Sequence, residues 1–273
     1  MILRRCRGNV DLVKLALGLC LAFSLSGPAT CETVAPSTSL GYASFVCWNY
    51  SQLPRLRGWK ETEKIIATTL AEAYPNLQKL PCLENGSPDQ LKDFLRRLPD
   101  APNSMTLVYM AAHQSPGGQW YFPDGSVVDW GTLMADLPKL KNTNRIVLLD
   151  CCYASSASRW PDWSQKVAPA CVFASPANRP TPDLFVFHRR PVDWAVLFPG
   201  ATLWLREHHF KDPDERVSFF GLVWLEAWMK EASPPQNWND WHRLAETMSQ
   251  IAQHASTQIN SNSVSDIIAV FPP

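Results

Sequence analysis

The chain has 273 residues, of which 46% are hydrophobic, and its 25 lysine and arginine residues balance 25 aspartate and glutamate residues. This length and apolar content suit a single globular domain with a sizeable core. The zero formal net charge excludes the strongly basic proteins that bind nucleic acid or anionic membrane surfaces by charge alone. We therefore expect neither of these partners.

The N-terminus carries a targeting pattern. Three arginines among the first seven residues precede the apolar segment 15–25, and small residues follow it. This segment is shorter than the ~20 residues that span a bilayer. The pattern predicts a secretory signal peptide over 1–29, a linker over 30–40, and an exported mature chain, periplasmic or secreted, with no membrane span. An uncleaved N-terminal anchor and a lipid-anchored Cys31 remain alternatives.

Beyond the linker, the sequence alternates between predicted strands and helices. Short apolar or aromatic runs predict strands, and apolar residues three or four positions apart predict helices. In chain order these elements are the strand 42–48, the helix 59–73, the strand 77–83, a helix that begins after the N-cap Ser87, the strand 105–112, a hairpin at 120–125, a short helix at 130–137, the strands 145–150 and 171–175, and the helices 215–231 and 240–257. The segments 185–187 and 201–205 are further candidate strands. This alternation predicts a three-layer α/β/α sandwich with a mostly parallel sheet of about six strands.

Two of the apolar strands end in chemically reactive side chains. The strand 105–112 is followed by His113, and the strand 145–150 ends at Asp150 and is followed by Cys151 and Cys152. Ligands of parallel sheets bind at the carboxyl ends of the strands, and a cysteine nucleophile needs a nearby base to favour its thiolate. The sequence therefore predicts a histidine–cysteine pair. The histidine comes first, without the G-x-S-x-G elbow of the α/β-hydrolases.

At these residues the chain resembles the caspase-like cysteine peptidases, the group of caspases, metacaspases and their bacterial-type relatives. The catalytic strands of that family have the patterns apolar-Tyr-x-Gly-His-Gly and apolar-Asp-x-Cys-x-Ser-Gly. Here they read Tyr109-Met-Ala-Ala-His113-Gln114 and Asp150-Cys-Cys-Tyr-Ala-Ser155. The resemblance implies a caspase-like peptidase domain over 41–273, which acts on a peptide or protein substrate and requires no cofactor.

The resemblance also implies a role for each residue of the catalytic pair. His113 would be the general base and acid, Cys152 the nucleophile, and Cys151 a filler. The backbone N–H groups of Gln114 and Cys152 would hold the oxyanion. Because Gln114 stands where the family has glycine, and Ala154-Ser155 where it has Ser-Gly, a catalytically inactive caspase-like domain that acts as a binding or scaffold module remains the alternative function.

For the substrate, the resemblance implies an endopeptidase that cleaves after Arg or Lys. Asp150 would line the pocket for this cationic side chain, because a carboxylate forms a charge-assisted pair with it. Ser175 and Asp183 are further candidates for the same pocket. The alternative for Asp150 is an acid at a strand end that backbone N–H groups satisfy. A further hypothesis is self-cleavage after Arg159 or Lys166.

The cysteine and histidine patterns give no other clear site. Most of the eight cysteines fall in the signal segment or near predicted strands, where thiols pack as small hydrophobes. We therefore expect a core that is mostly free of disulfides, with Cys47–Cys82 as the one pair worth testing. His208 and His209 have no third ligand at a suitable spacing, so we expect no metal site.

Overall fold

A mostly parallel sheet forms the centre of the computed structural model. The strands are β1 Ser39–Val46, β2 Gln78–Glu84, β3 Ser104–Ala112, β4 Gln119–Tyr121, β5 Val127–Asp129, β6 Thr143–Cys151, β7 Ala170–Ser175 and β8 Ile268–Val270. Six of them form one sheet in the order β2-β1-β3-β6-β7-β8, and β4 pairs with β5 in a separate hairpin. Within the large sheet, every pair of neighbours is parallel except β7 and β8.

The structure describes residues 39–56, 58–99, 104–129, 132–133, 143–152, 170–175, 193–210, 217–259 and 268–270. All of them belong to the compact unit Pro36–Pro273. The signal peptide, most of the linker, the candidate strand 185–187, Asp183 and the two candidate self-cleavage residues lie outside the described ranges. The predictions made for them therefore stay predictions. Within those ranges, no helix combines the length and the apolar character needed to cross a membrane.

Helices cover both faces of the sheet. Their bounds are α1 Trp59–Ala73, α2 Pro88–Arg97, α3 Trp194–Leu197, α4 Pro199–Glu207, α5 Phe219–Lys230 and α6 Trp238–Ile259. Alternate residues of β3 enter two different apolar clusters: Tyr109 packs with residues of α1, α4, α5 and α6, whereas Met110 packs with residues of α2 and of the hairpin. Side chains of successive strand residues point to opposite faces, so the chain has the predicted three-layer α/β/α architecture.

Local sequence signals explain where several helices begin. The Ser87 side chain accepts a hydrogen bond from the backbone N–H of Gln90, and the Gln90 side chain accepts one from the backbone N–H of Ser87. This capping box, with Pro88 at the first helical position, starts α2 where the sequence predicted it. The Ser218 side chain caps α5 in the same way, by accepting a hydrogen bond from Gly221 N.

One predicted element is wrong. Residues 201–205 form part of helix α4, not a strand. Pro199 occupies the first turn of this helix, where it needs no N–H partner. Ala201, Trp204 and Leu205 are buried, whereas Leu203 is exposed. The short apolar run carried both strand and helix periodicity, and packing of one helical face against the core decides between them.

The candidate disulfide is not formed. Cys47 and Cys82 both carry thiols in the structure. The Cys47 thiol donates a hydrogen bond to the backbone oxygen of Gly86 over 3.7 Å, and burial raises the pKa of Cys47 to about 12. Cys47 therefore behaves as a packed apolar residue, and Cys82 on the edge strand β2 is exposed.

Candidate active site

The predicted catalytic residues follow neighbouring parallel strands at the same edge of the sheet. β3 pairs with β6 in a register that sets Ala112 opposite Cys151. His113 and Cys152 each come one residue after this pair. Neighbouring strands lie about 4.8 Å apart, so β3 and β6 end side by side just before these two residues. Both are half-buried and thus open to solvent in part.

The loop after β1 holds both the backbone and the ring of His113. The backbone N–H of His113 donates to the Tyr50 hydroxyl over 3.0 Å, and Nε2 lies 2.8 Å from the backbone oxygen of Pro54. The centroids of the Tyr50 and His113 rings are 4.8 Å apart. A carbonyl oxygen can only accept, so Nε2 carries the hydrogen. In the neutral ring, Nδ1 is then the basic nitrogen.

The two adjacent thiols have different surroundings. Cys151 is buried, and its thiol donates to Gln114 Oε1 over 2.9 Å. Burial raises the pKa of Cys151 well above its ordinary value, so this thiol stays uncharged. Cys152 is half-buried. Burial also raises the pKa of the neighbouring Tyr50, and the hydrogen bond from His113 N acts in the opposite direction.

Gln114 turns its side chain inward and its backbone N–H away from the hairpin. The side chain is only 5% exposed. Gln114 pairs with Trp120 in an antiparallel bridge, and the flanking hydrogen bonds run from Ser115 N to Gln119 O and from Tyr121 N to His113 O. In such a non-hydrogen-bonded pair, the N–H groups point away from the partner strand. The Gln114 N–H therefore points away from β4, and the Gln114 side chain lies against Cys151.

Asp150 lies in β6 and is buried on the sheet face opposite Cys151. Its Oδ2 accepts hydrogen bonds from the Tyr109 hydroxyl at 2.8 Å and from the Ser218 hydroxyl at 2.7 Å. Burial raises the pKa of Asp150, and these two hydroxyl groups act in the opposite direction. Backbone pairing places Ser175, the last residue of β7, opposite Asp150. In the described part of the chain, no cluster of His, Cys, Asp or Glu side chains is suited to hold a metal ion.

Comparison with family models gives no match, and neither does comparison with curated proteins. Solved structures do match. Caspase-1 from Spodoptera frugiperda aligns with a TM-score of 0.54 and 12% identity over 86% of this chain and 87% of that chain. The Drosophila initiator caspase Dronc aligns with a TM-score of 0.50 and 13% identity over 87% of this chain and 81% of that chain.

The chain has a caspase-like fold. At such low identity the likeness shows the fold alone. Both of these structures are insect caspases, so they support the caspase-like fold and not the narrower expectation of a bacterial-type metacaspase.

Within the caspase-like fold, three residues near the candidate site were not predicted from the sequence. Tyr50 and Pro54 contact His113, and Ser218 contacts Asp150. One signal was present for the first two. They follow β1, the strand next to β3, and loops after adjacent parallel strands meet at one edge of the sheet. Ser218 shows the pattern of an N-cap, but nothing local connects it to Asp150.

Proposed function

We propose that the protein is a cysteine endopeptidase in which His113 is the general base and Cys152 the nucleophile. The register of β3 against β6 carries this proposal, because it pairs Ala112 with Cys151 and so aligns the two following residues. The hydrogen bond from His113 Nε2 to Pro54 O supports it further. It leaves Nδ1 as the nitrogen that accepts the thiol proton.

The reaction follows from these two groups. Cys152 transfers its thiol proton to His113, and the thiolate attacks the scissile carbonyl carbon, forming a C–S bond. His113 then gives its proton to the leaving amine as the C–N bond breaks. Water, deprotonated by His113, attacks the thioester. The C–S bond breaks, and the proton returns to the Cys152 sulfur.

Two backbone N–H groups would stabilise the tetrahedral oxyanion, those of Gln114 and Cys152. The direction of the Gln114 N–H, away from the hairpin, supports this role. The Gln114 side chain points into the core toward Cys151. This direction explains how glutamine can replace the glycine of the family pattern. Losing one such donor typically costs about 2.7 to 4 kcal/mol of barrier.

Asp150 would set the preference for Arg or Lys on the amino side of the scissile bond. Among the described residues, both hydrogen bonds to its carboxylate end on Oδ2, which leaves Oδ1 as the oxygen to meet a substrate cation. Ser175, opposite Asp150 in the sheet, and Asp183 would complete this pocket. A buried carboxylate strengthens a charge-assisted pair because water screens it little.

A second candidate function is a binding or scaffold domain without catalysis. The presence of glutamine instead of glycine at position 114 favours it, because glycine permits a closer approach of substrate to the backbone. A peptidyl electrophile separates the two candidates, since only an assembled site forms an adduct on Cys152.

The proposal is tested with purified protein and fluorogenic peptides that end in Arg or Lys. Cys152→Ala should abolish hydrolysis, and the matched variant Cys151→Ala should keep it, because Cys151 is buried in the apolar cluster with residues of α2 and the hairpin. Full activity of Cys152→Ala would refute the assignment. Absence of both hydrolysis and adduct in the folded wild type would favour the binding domain.

A further inference from the structure

Asn85, directly after β2, forms three hydrogen bonds with the chain at the end of β1. Asn85 Oδ1 accepts hydrogen bonds from the backbone N–H groups of Trp48 at 3.0 Å and Asn49 at 2.9 Å. The N–H of Asn85 donates to Val46 O over 2.7 Å. Asn85 has a φ of 51°, a left-handed conformation that asparagine tolerates better than most residues. These three bonds fix how the chain leaves β1.

The segment to which Asn85 is hydrogen-bonded also contacts His113. Residues 47–56, which we call the bracket loop, include both Tyr50 and Pro54. Leu56 N donates to Trp48 O over 3.1 Å, which closes the loop on itself. Tyr50 is buried, and its hydroxyl accepts the hydrogen bond from His113 N at a partly buried position. Asn85 thus holds the start of the segment whose Tyr50 contacts the backbone of His113 and whose Pro54 contacts its imidazole.

We propose that Asn85 and Tyr50 are positioning residues for His113, with Asn85 fixing the bracket loop and Tyr50 fixing the backbone and ring of the histidine. Neither residue is required to touch substrate. The expected effect on kcat rests on the proposed function. The structural content of the inference, that Asn85 and Tyr50 hold the bracket loop and His113 in place, stands independently of whether the protein hydrolyses peptides.

Three variants separate positioning from general stability. Tyr50→Phe keeps the ring and removes the hydroxyl that accepts the His113 N–H. Asn85→Gly removes the acceptor oxygen at a residue that still tolerates a positive φ. Asn85→Asp keeps the acceptor oxygen and also tolerates the positive φ. The matched control is Tyr74→Phe, which removes a hydroxyl bond to Pro235 O at the C-terminal end of α1.

The kinetic readout is the separation of kcat from KM. We expect Tyr50→Phe and Asn85→Gly to lower kcat by about tenfold or more while KM changes little, because small misplacements of a catalytic group act on the chemical step. Asn85→Asp and Tyr74→Phe should keep the wild-type kcat. Wild-type kcat and pH dependence in folded Tyr50→Phe and Asn85→Gly would overturn the inference.

A second readout does not depend on activity. Nitrogen NMR of the labelled imidazoles, with His113 assigned by its loss in His113→Gln, reports which ring nitrogen carries hydrogen. Wild type and Asn85→Asp should show His113 as the Nε2–H tautomer, and Asn85→Gly and Tyr50→Phe should show mixed tautomers. Unchanged His113 signals in the latter two would overturn the inference. A wild type without any Cys152-dependent hydrolysis would instead overturn the proposed function, and the NMR spectra would still decide the role of the bracket loop.

Discussion

The Cys151 thiol donates a hydrogen bond to Gln114 Oε1 over 2.9 Å and so joins β6 to the segment that follows β3. Both side chains are buried. The two adjacent cysteines therefore have different surroundings, because Cys151 packs in the core against Gln114 while Cys152 lies half-buried just beyond β6.

Replacing Cys151 should therefore reduce stability more than activity. Cys151→Ala leaves the buried Gln114 oxygen without its donor, which costs about 1 to 3 kcal/mol of unfolding free energy. Cys151→Ser restores an O–H donor and should lose less. Urea unfolding measures both variants. Equal losses in alanine and serine variants would show that the hydrogen bond contributes little.

Ser218 should contribute more to stability than an ordinary helix cap. Ser218→Ala removes the N-cap of α5, worth about 1 kcal/mol, and one of the two hydroxyl bonds to the buried Asp150 carboxylate, worth roughly 1.5 to 3 kcal/mol. Ser87→Ala, which removes only the cap of α2, is the matched control. Similar unfolding free energies for the two variants would contradict the role of Ser218 in holding Asp150.

Asp150 should control the choice of substrate. In Asp150→Asn the shape is nearly kept and the charge is lost, so we expect kcat/KM for peptides with Arg or Lys to fall by about thirtyfold or more relative to peptides with a neutral residue. Circular dichroism would establish that the variant is folded. An unchanged ratio between cationic and neutral peptides would show that Asp150 serves the fold alone.

The sequence predicted those parts of the fold that depend on local pattern. The helix that begins after Ser87 and the apolar strands that precede His113 and Cys152 are examples, because capping groups and continuous apolar runs act over a few residues. Residues 201–205 were wrongly assigned to a strand because the apolar pattern of five residues fits both a strand and a helix. The contacts of Tyr50 and Pro54 with His113 were not predicted, because they depend on how two loops distant in sequence pack together.

A surface pair should make stability depend on pH. His208 Nδ1 lies 2.9 Å from Trp204 O, and Nε2 lies 2.7 Å from Glu72 Oε1. Both partners accept, so both nitrogens carry hydrogen. Partial burial lowers the pKa of His208, but the bonds to Trp204 and Glu72 outweigh it and raise the pKa above its ordinary value.

This contribution should be fully present below the unfolded pKa of about 6.5 and be lost as the pH rises through the higher folded pKa. For a largely exposed pair it amounts to no more than about 1 kcal/mol. Unfolding free energies of wild type and Glu72→Gln, compared over roughly pH 5 to 9, should converge at the alkaline end. A difference that does not change with pH would contradict the ion pair.

The pairing of His113 with Cys152 is tested most directly by the rate at which iodoacetamide alkylates Cys152 as a function of pH. Cys82 serves as an internal reference. The residue is exposed as a whole, but neighbouring groups partly shield its thiol from water, which raises the pKa. Mass spectrometry follows both cysteines in one sample. We expect wild-type Cys152 to react well below the pH at which Cys82 reacts, because imidazolium favours the thiolate. His113→Ala should move the Cys152 profile to higher pH, toward that of Cys82. Identical Cys152 profiles in wild type and His113→Ala would contradict the catalytic pair.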